Sequence, residues 1–362
     1  MKYVHLLLHS SLKFNKPLFM LINDEKNGLD AENHLFVTPF KEVYDECIRC
    51  YDNIVFDKRR GLELVNYYGE IADWVFIHAL NLSYAEVAKI NKKTARKIIW
   101  RTWGHDIKEY WGVTDPLRVV KRFMLNLLRV PNVRRFYGIG VAFKYDKVLL
   151  ESLFGKVKTF ILPYRDSGFD YTTLTKDDHG GTVRILVGHS GHKTSNHLQM
   201  LHSLSRFSEQ PIKICLVLSY GDNEHIKAVK KLAYELYPAE KLEIIEDLMT
   251  FEEYMQFLYN IDIAVLDIKG SAALGNFMKL IYMKKKLYVK RDGLMAYALN
   301  GEGIDHGYTD ELSTISFDEF IRPMSTPEAA ARFTARFDDK DYPQKQWRSL
   351  LSDLKKESEI HG

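Results

Sequence analysis

The sequence of 362 residues contains few cysteines, and they are Cys47, Cys50 and Cys215. Three thiols cannot build a disulfide framework, so a small disulfide-stapled scaffold is excluded and a reducing, cytoplasmic compartment is expected. The C-x-x-C spacing of Cys47 and Cys50 has no second cysteine pair to complete a zinc site. We therefore expect these cysteines to be structural.

Long apolar runs are also missing. No segment approaches the roughly 20 apolar residues that span a bilayer. The first ten residues lack the uninterrupted apolar core and the small-residue cleavage site of a signal peptide, because His5 and His9 divide them. We expect a soluble protein that at most lies on a membrane surface.

The chain has almost no net charge, since 51 basic residues oppose 48 acidic ones and leave +3. This near balance gives no general electrostatic case for binding nucleic acid. The charge is uneven, however, because residues 91–135 hold 12 basic and three acidic side chains. Within them, residues 117–130 interleave Arg and Lys with apolar side chains. That pattern is typical of a peripheral helix on an anionic membrane, and equally of a core helix with a solvated basic face.

The length and the ordinary balance of 46% hydrophobic and 27% charged residues predict two globular domains. Short apolar runs predict strands at residues 4–8, 74–78, 97–100, 159–162, 183–187, 212–218, 242–245, 261–266 and 286–289. Apolar periodicity predicts helices between them, at residues 196–207, 224–237 and 251–260. Alternating strands and helices predict α/β domains with parallel sheets, whose ligands bind at the carboxyl ends of the strands.

A linker is predicted at residues 163–182, which are rich in turn formers and charge. It separates a first domain at residues 1–165 from a second at 180–325. Charged helices at 326–362 then follow, and they are candidates to pack back on the first domain.

The most informative segment is residues 185–197, a strand, a loop with two glycines and the start of a helix. The loop residues that could contact a ligand are Gly188, Ser190, Gly191, His192, Lys193, Thr194 and His197. Glycines allow close approach of the backbone, and a helix N-terminus attracts anions. The alternative is a plain turn in which Ser195 or Asn196 caps the helix.

Two further turns are candidates for chemistry. Residues 269–277 follow a strand and include Gly275 and Asn276, so they offer a weaker anion site. Residues 100–109 place His105 and Asp106 after a strand, where a carboxylate beside an imidazole can take a proton from a hydroxyl. The alternative is that Asp106 caps a helix and the tryptophans are core.

Two motifs resemble those of a known family. Trp100-x-x-Trp103-Gly104-x-Asp106-x-x-Glu109 resembles W-x-x-W-G-x-D-x-x-E. Ile185-Leu-Val-Gly188-x-Ser190-Gly191-x-Lys193-Thr194-x-x-His197 resembles I-L-V-G-N-S-G-x-[RK]-[ST]-x-x-H. Both are typical of bacterial TDP-N-acetylfucosamine:lipid II N-acetylfucosaminyltransferases, glycosyltransferase family 56. Weaker similarities occur at His78, Pro163-Tyr-Arg165, Ser219-Tyr220 and Gly275-Asn276.

The resemblance implies a GT-B fold, in which two Rossmann-like domains face one another across a cleft. It implies a nucleotide-sugar donor bound mainly by the second domain, with no essential metal and no other cofactor. It also implies an acceptor sugar on a polyprenyl diphosphate at the cytoplasmic face of the membrane, with residues 117–130 providing peripheral attachment.

The resemblance also implies roles for individual residues. Donor binding falls to Gly188, Ser190, Gly191, Lys193, Thr194, His197, Tyr220, Gly275 and Asn276. Asp106 is the implied general base, with His105 as a substitute, and the acceptor or cleft side has His78, Trp103, Glu109 and Arg165. His189, His192 and residues 271–276 depart from the family pattern, so the donor sugar is expected to be N-acetylfucosamine, fucose or another deoxy or amino sugar.

The predicted function is therefore a glycosyltransferase of bacterial surface polysaccharide synthesis. The alternative is a non-catalytic module of the same fold that binds a sugar or lipid at the membrane surface. The two differ in whether the protein binds and turns over a nucleotide sugar.

Overall fold

The computed structural model describes residues 2–104, 106, 107, 116–164, 171–270, 272–339 and 341–361. The chain divides into two compact units. Unit 1 comprises Met1–Phe169 and Asp339–Gly362, and unit 2 comprises Asp170–Asp338. The C-terminal segment thus returns to the unit with which the chain begins.

Unit 1 is built on a seven-stranded sheet. Its strands are β1 (Tyr3–Leu7), β2 (His34–Thr38), β3 (Ile54–Phe56), β4 (Trp74–His78), β5 (Ile98–Arg101), β6 (Gly138–Val141) and β7 (Thr159–Ile161). They are arranged in the order β3-β2-β1-β4-β5-β6-β7, and all neighbours are parallel. The chain changes direction across the sheet between β1 and β4, which is where ligands bind in such folds.

Helices cover both faces of this sheet. They are α1 (Leu12–Asn23), α2 (Lys41–Cys47), α3 (Gly61–Ile71), α4 (Tyr84–Lys89), α5 (Lys92–Ala95), α6 (Pro116–Val133), α7 (Asp146–Phe154) and α15 (Tyr342–His361). One buried cluster contains Val4, Leu6 and Trp100, and the other contains Leu7, Phe76 and Trp347 of α15. Neighbouring strand residues thus supply opposite cores, as expected of a sheet covered on both sides.

Unit 2 repeats this plan with six parallel strands. They are β8 (Val183–Val187), β9 (Ile212–Val217), β10 (Leu242–Ile245), β11 (Ile263–Leu266), β12 (Lys286–Val289) and β13 (Gly307–Tyr308). Their order is β10-β9-β8-β11-β12-β13. All neighbours are parallel, and the direction of winding changes between β8 and β11.

The helices of unit 2 are α8 (His197–Leu204), α9 (Asn223–Leu236), α10 (Phe251–Asn260), α11 (Leu274–Tyr282), α12 (Leu294–Glu302), α13 (Phe317–Ile321) and α14 (Pro327–Asp338). Local chemistry sets several of their starts. Thr250 and Glu253 form a capping box at α10, and the Asp222 carboxylate accepts the His225 N–H at α9. These polar caps direct the chain from the carboxyl ends of the strands into the helices.

The structure adds strands that the apolar pattern does not predict. They are β2, β3, β6 and β13. β3 and β13 have only three and two residues, and β6 reads Gly-Ile-Gly-Val, in which two glycines weaken the strand signal. Every predicted strand corresponds to an observed one, with ends that differ by a few residues.

The division between units lies inside the predicted linker but differs from the predicted domain ends. Residues 171–179 already belong to unit 2, where Lys176 pairs with Asp262 at 2.7 Å and Asn260 donates to Asp177. The predicted terminal segment 326–362 is divided, because α14 belongs to unit 2 and α15 to unit 1. Among the described residues, no helix combines the length and apolar character that crossing a bilayer requires.

Candidate functional site

The loop after β8 and the first residue of α8 contain six of the nine predicted donor-binding residues, and they lie at the turning point of the unit 2 sheet. Gly188 directly follows β8 and its N–H donates to Val265 of β11 at 2.9 Å. Loops at this edge define the crevice in which doubly wound sheets bind ligands. The structure therefore places the predicted segment where the fold predicts a ligand.

Gly188 is required by its conformation and its neighbour. Its φ is +74°, and a Cβ atom there would lie 2.4 Å from Nε2 of His197. His197 is fully buried, and its Nδ1 is hydrogen-bonded to Nε2 of His225 at 3.2 Å. Burial and the nearby His225 and His189 lower the pKa of His197 to about 3. The neutral His197 ring thus packs against the turn at Gly188 and carries no charge.

Gly191 joins this loop to the one after β9. Its N–H donates to the Tyr220 carbonyl at 2.8 Å, and its carbonyl accepts the Asp222 N–H at 3.1 Å. A Cβ atom on Gly221 would lie 2.2 Å from the carbonyl carbon of Gly191. The two glycines therefore let the two loops pair as a short parallel bridge.

The first turn of α8 has no side-chain cap. Asn196 precedes the helix with a φ of +50°, and its amide donates to Asp267 at 2.6 Å and to Gln199 at 2.7 Å instead. Ser195 contacts His189 and the Ser190 carbonyl. Asn196 thus occupies the N-cap position of α8, as the alternative expects, but its side chain does not cap the helix. The N–H groups of the first turn stay available to an anion.

Polar side chains surround this helix end on its open side. Lys193 and Thr194 are exposed, and Lys193 Nζ lies 3.4 Å from a carboxylate oxygen of Asp222. Tyr220 is half exposed, and its ring meets His192 edge to face at 5.9 Å. Burial of the hydroxyl raises the pKa of Tyr220, and the hydroxyl of the fully buried Ser190 opposes that shift. A cation, hydroxyls and an aromatic face are thus available to a ligand.

Asp267 is a further residue of this edge that the sequence analysis did not select. It directly follows β11, is nearly fully buried, and accepts hydrogen bonds from Asn196 and from Thr309. Lys290, which directly follows β12, pairs with it at 3.4 Å. A polar residue immediately after an apolar strand is the signal that identifies both. Asp267 ties three loops together across the turning point.

The second predicted anion site has weaker support. Asn276 donates to the Tyr254 hydroxyl at 2.6 Å, so its amide is already engaged. Gly275 is exposed, and a Cβ there would meet nothing within 4 Å. No neighbouring atom of the protein therefore requires glycine at this position. What remains is the first turn of α11, which also has no side-chain cap.

In unit 1, Asp106 is held by three donors. Its carboxylate accepts the indole N–H of Trp100 at 2.8 Å, the backbone N–H of Leu80 at 3.1 Å and the backbone N–H of Trp103 at 2.9 Å. The residue is only 7% exposed. These bonds connect the loop after β5 to the loop after β4. The carboxylate thus holds the loop that carries Trp103 in place.

Two other predicted residues of the acceptor side lie beside this loop. Trp103 donates its indole N–H to the Tyr164 hydroxyl at 2.5 Å, and Nδ1 of His78 lies 3.3 Å from the same hydroxyl. His78 is fully buried at the end of β4, and burial together with Arg101 lowers its pKa well below 6.5. His105, Glu109 and Arg165 lie outside the described residues.

The basic region of residues 91–135 does not form one solvated face. Arg129 of α6 is buried with its guanidinium over the Trp100 ring, and Arg101 is buried with its guanidinium over the Tyr164 ring. Among the side chains of α6 that the structure describes, Val120, Phe123, Met124 and Leu127 are each more than half exposed. Their spacing of three and four residues puts them on one face of the helix. Arg118, Lys121 and Arg122 have side chains outside the described set.

No group of three or more His, Cys, Asp or Glu side chains that could hold a metal occurs among the described residues. The predicted absence of a metal cofactor stays a prediction.

Comparison with known proteins identifies the family. The model of the 4-alpha-L-fucosyltransferases, glycosyl transferase group 56, matches residues 64–356. The chain belongs to this family. The match spans both units and includes both sequence motifs, so the glycosyltransferase assignment covers most of the molecule. The protein is an enzyme that transfers sugar from a nucleotide donor.

Solved structures similar to this glycosyltransferase show the same fold. Anabaena HepE, solved in complex with UDP-glucose, is 14% identical with a TM-score of 0.61, over 98% of this chain and 100% of that one. An alpha,alpha-trehalose-phosphate synthase (UDP-forming) from Burkholderia vietnamiensis is 10% identical with a TM-score of 0.60, over 98% and 100%. A glycosyltransferase from Rickettsia africae is 13% identical with a TM-score of 0.58, over 99% and 97%. The fold is GT-B.

Proposed function

We propose that the enzyme transfers a deoxy or amino sugar, such as N-acetylfucosamine or fucose, from a nucleoside diphosphate to a lipid-linked glycan acceptor. The place of this reaction is bacterial surface polysaccharide synthesis, at the inner face of the cell membrane. The family supports the sugar class. The observation that carries the donor half is the uncapped first turn of α8 at the turning point of the unit 2 sheet.

The donor diphosphate is proposed to lie against that helix end. Backbone N–H groups of the first turn of α8 and the side chains of Lys193 and Thr194 supply the hydrogen bonds and the charge. Lys193 is exposed beside Asp222, so it can exchange one anionic partner for another. Positive charge at the diphosphate stabilises the leaving group when the sugar departs. Lys269 and Lys290 at the neighbouring strand ends add further cations.

In this proposal the charge of the diphosphate is neutralised without a metal ion. Side-chain cations and a helix N-terminus together perform the neutralisation that a divalent cation performs in other enzymes. Transfer is expected to continue at an unchanged rate in excess EDTA. A loss of activity in EDTA that Mg²⁺ restores would contradict metal independence.

The acceptor side is proposed to lie at the carboxyl ends of β4 and β5 in unit 1, beside Trp103 and His78. The three donors on the Asp106 carboxylate support a positioning role for this residue, namely fixing the loop that carries Trp103. The general-base role that the family resemblance implies stays a prediction, which a substitution of Asp106 tests below.

Membrane attachment is proposed to run through the exposed face of α6. Phe123 and Leu127 have more than half of their surface in solvent. Fully burying a large apolar side chain gains about 1.5–3 kcal/mol, so four partly exposed ones give several kcal/mol before the cost of binding. The family's lipid-linked acceptor would place such a face against the bilayer.

A donor-binding experiment tests the first half of the proposal. Lys193→Ala should weaken TDP or UDP binding by about tenfold in titration calorimetry, the value of roughly one charge-assisted hydrogen bond. Lys227→Ala on α9 is the matched control, because Lys227 is also exposed and pairs with Glu224 on its own helix. Equal affinity of both variants would remove Lys193 from the site.

Turnover of a nucleotide-sugar panel separates the enzyme from a binding module. The purified protein should release TDP, UDP or GDP from a cognate sugar donor, slowly with water and faster with a polyprenyl diphosphate-linked glycan. Binding of a nucleotide without release from any donor would favour the non-catalytic module.

Liposome flotation tests the membrane face. Phe123→Glu should abolish flotation on vesicles that contain anionic lipid. Leu248→Glu, at the most exposed large apolar side chain among the described residues of unit 2, should leave flotation intact. Two outcomes would make α6 an ordinary surface helix. In one, both variants float with the vesicles; in the other, neither the variants nor the wild-type protein floats.

A further inference from the structure

A buried carboxylate at the carboxyl edge of the unit 2 sheet has three side-chain partners. Asp267 directly follows β11 and is only 5% exposed. Its Oδ1 accepts the Thr309 hydroxyl, and its Oδ2 accepts the Asn196 amide at 2.6 Å. The ammonium of Lys290, which directly follows the neighbouring strand β12, lies 3.4 Å from the same Oδ2. One oxygen therefore joins the N-cap residue of α8 to a lysine.

Lys290 is the most loosely held of these partners. Hydrogen bonds between an ammonium and a carboxylate are typically about 2.7–2.9 Å long. The contact at 3.4 Å is therefore weak, and 35% of the lysine side chain is exposed. When Lys290 turns away, Asp267 keeps the bonds from Asn196 and Thr309. The departure of the lysine thus leaves no buried carboxylate without a partner, a state that would strongly destabilise the fold.

A second lysine–aspartate pair has the same design. Nζ of Lys193 is 3.4 Å from Oδ2 of Asp222. The backbone N–H of Asp222 donates to the Gly191 carbonyl at 3.1 Å. Asp222 thus holds one end of the loop before α8, and Asp267 holds the other end at Asn196. Both aspartates combine a structural bond to this loop with a loosely held lysine.

The N-terminus of α8, into which this loop leads, has no negative charge of its own. Its first turn contains no acidic residue, and no side chain caps it. A helix N-terminus attracts anions and repels cations. In the free enzyme the two carboxylates therefore stabilise the lysines beside this helix end. An anion bound at the helix end takes over that role, because it attracts the lysines as well as the N–H groups of the first turn.

We propose that Asp267 holds the Lys290 ammonium in the free enzyme and releases it to the donor diphosphate, so that this carboxylate limits how tightly the nucleotide binds. This inference rests on the proposed function. Asp267 is a positioning residue in it, because it acts on the diphosphate through Lys290.

The exchange of partners has its main effect after sugar transfer. The nucleoside diphosphate is then the product, and it must leave before the next donor binds. When the Lys290 ammonium returns to Asp267, the diphosphate loses one cation and dissociates more readily. An ion pair that is partly exposed contributes up to about fivefold to an equilibrium constant, which sets the size of the expected effect.

Asp267→Asn is the informative substitution because it removes the charge and keeps the hydrogen bonds. The amide oxygen can accept from Asn196, and the amide NH₂ can donate to the Thr309 hydroxyl, which is able to accept as well as donate. Titration calorimetry should show that TDP binds about fivefold more tightly to this variant. Stopped-flow measurements with a fluorescent TDP analogue should show slower dissociation. A structural role alone predicts unchanged or weaker binding, and either result would overturn the proposal.

Substitution of the lysine tests whether Asp267 acts through Lys290. Lys290→Ala should weaken TDP binding by about fivefold, and in this background Asp267→Asn should change the affinity by less than about twofold. An undiminished gain without Lys290 would overturn the exchange, because the carboxylate would then repel the nucleotide directly. Lys230→Ala is the matched control and should bind TDP as the wild type does. Its side chain is also 35% exposed, and it pairs with Glu246.

Asp262→Asn controls for the loss of one negative charge from unit 2. Asp262 directly precedes β11, the strand that Asp267 follows, and it pairs with Lys176 at 2.7 Å. It therefore lies at the opposite edge of the sheet from the donor site. Asp262→Asn should leave TDP affinity unchanged. A gain equal to that of Asp267→Asn would overturn the inference, because the effect would then come from the overall charge.

Inorganic pyrophosphate separates a failure of this inference from a failure of the proposed function. If the wild type binds pyrophosphate but none of TDP, UDP and GDP, the proposed nucleotide donor fails. The pyrophosphate affinities of the same variants then still decide whether Lys290 is exchanged. If the wild type binds TDP and the Asp267 and Lys290 variants bind it equally well, the donor proposal stands and the exchange is overturned.

Discussion

Substitution of Asp106 by Asn separates the two roles that this carboxylate can have. The side chain keeps its size, but one oxygen is replaced by an amide NH₂ that cannot accept a hydrogen bond. The best placement leaves the remaining oxygen to Leu80 and Trp100, whose bonds share Oδ2. The Trp103 N–H then faces another donor.

The magnitude follows from the number of bonds lost. A buried donor without an acceptor costs about 1–3 kcal/mol, so Asp106→Asn should lower the free energy of unfolding by that amount. Asp106→Ala would orphan all three donors and lose at least about 3 kcal/mol. That loss is a large part of the 5–15 kcal/mol that stabilises a typical protein. Asn is therefore the informative variant.

The positioning role predicts a specific pair of results for Asp106→Asn. Chemical denaturation should show the lower stability, and kcat at a temperature where the variant stays folded should fall less than about tenfold. Asp73→Asn controls for a general loss of stability. Asp73 directly precedes β4, at the amino ends of the strands of the same sheet, and its carboxylate accepts the Lys2 N–H. A fall in kcat of about 1,000-fold with unchanged stability would refute positioning and establish Asp106 as the base.

Two further predictions concern single buried positions. Gly188→Ala should cost about 1–2 kcal/mol for the left-handed backbone alone, more with the clash against His197. It should also weaken TDP binding in calorimetry, and unchanged stability and affinity would contradict the close packing of this turn. Burial raises the pKa of Asp146 to about 7. The unfolded chain loses this proton near pH 4, so the stability that the neutral carboxyl preserves declines as the pH rises from about 4 to 7. Asp146→Asn should flatten the stability–pH curve in that interval, and an unchanged slope in thermal melts would contradict the assignment.

The alternation of apolar runs and amphipathic helices was sufficient to predict two parallel α/β domains. Such a pattern reflects burial on both sheet faces, which a single sequence displays directly. β6 escapes the pattern because Gly138 and Gly140 are two of its four residues. Their missing side chains make room for Phe160 and Leu162 beside the next strand, β7. The need for glycine in β6 thus comes from side chains of the neighbouring strand segment, so the sequence of β6 alone does not reveal it.

Some parts of the candidate site could likewise be predicted from the sequence, and others could not. The segment 185–197 was predicted because glycines and polar residues are concentrated in sequence after a strand. Asp267 and the hydrogen bonds that join His5 to His34 and His78 were not predicted, because their partners come from separate strands and become neighbours only in the folded sheet. His5 lies in a run that looks like any apolar strand. Arg129 shows the converse error, since a basic side chain counted toward a charged surface is buried against Trp100 and Tyr84.

The return of α15 to unit 1 has a consequence for how the protein is made. Residues 342–361 leave the ribosome after every element of unit 2, yet Trp347 covers the core that contains His5 and Phe76. Unit 2 is contiguous and has all its strands before that point. We therefore expect unit 2 to finish folding before unit 1. The aromatic core of unit 1 stays uncovered during synthesis until α15 has been made.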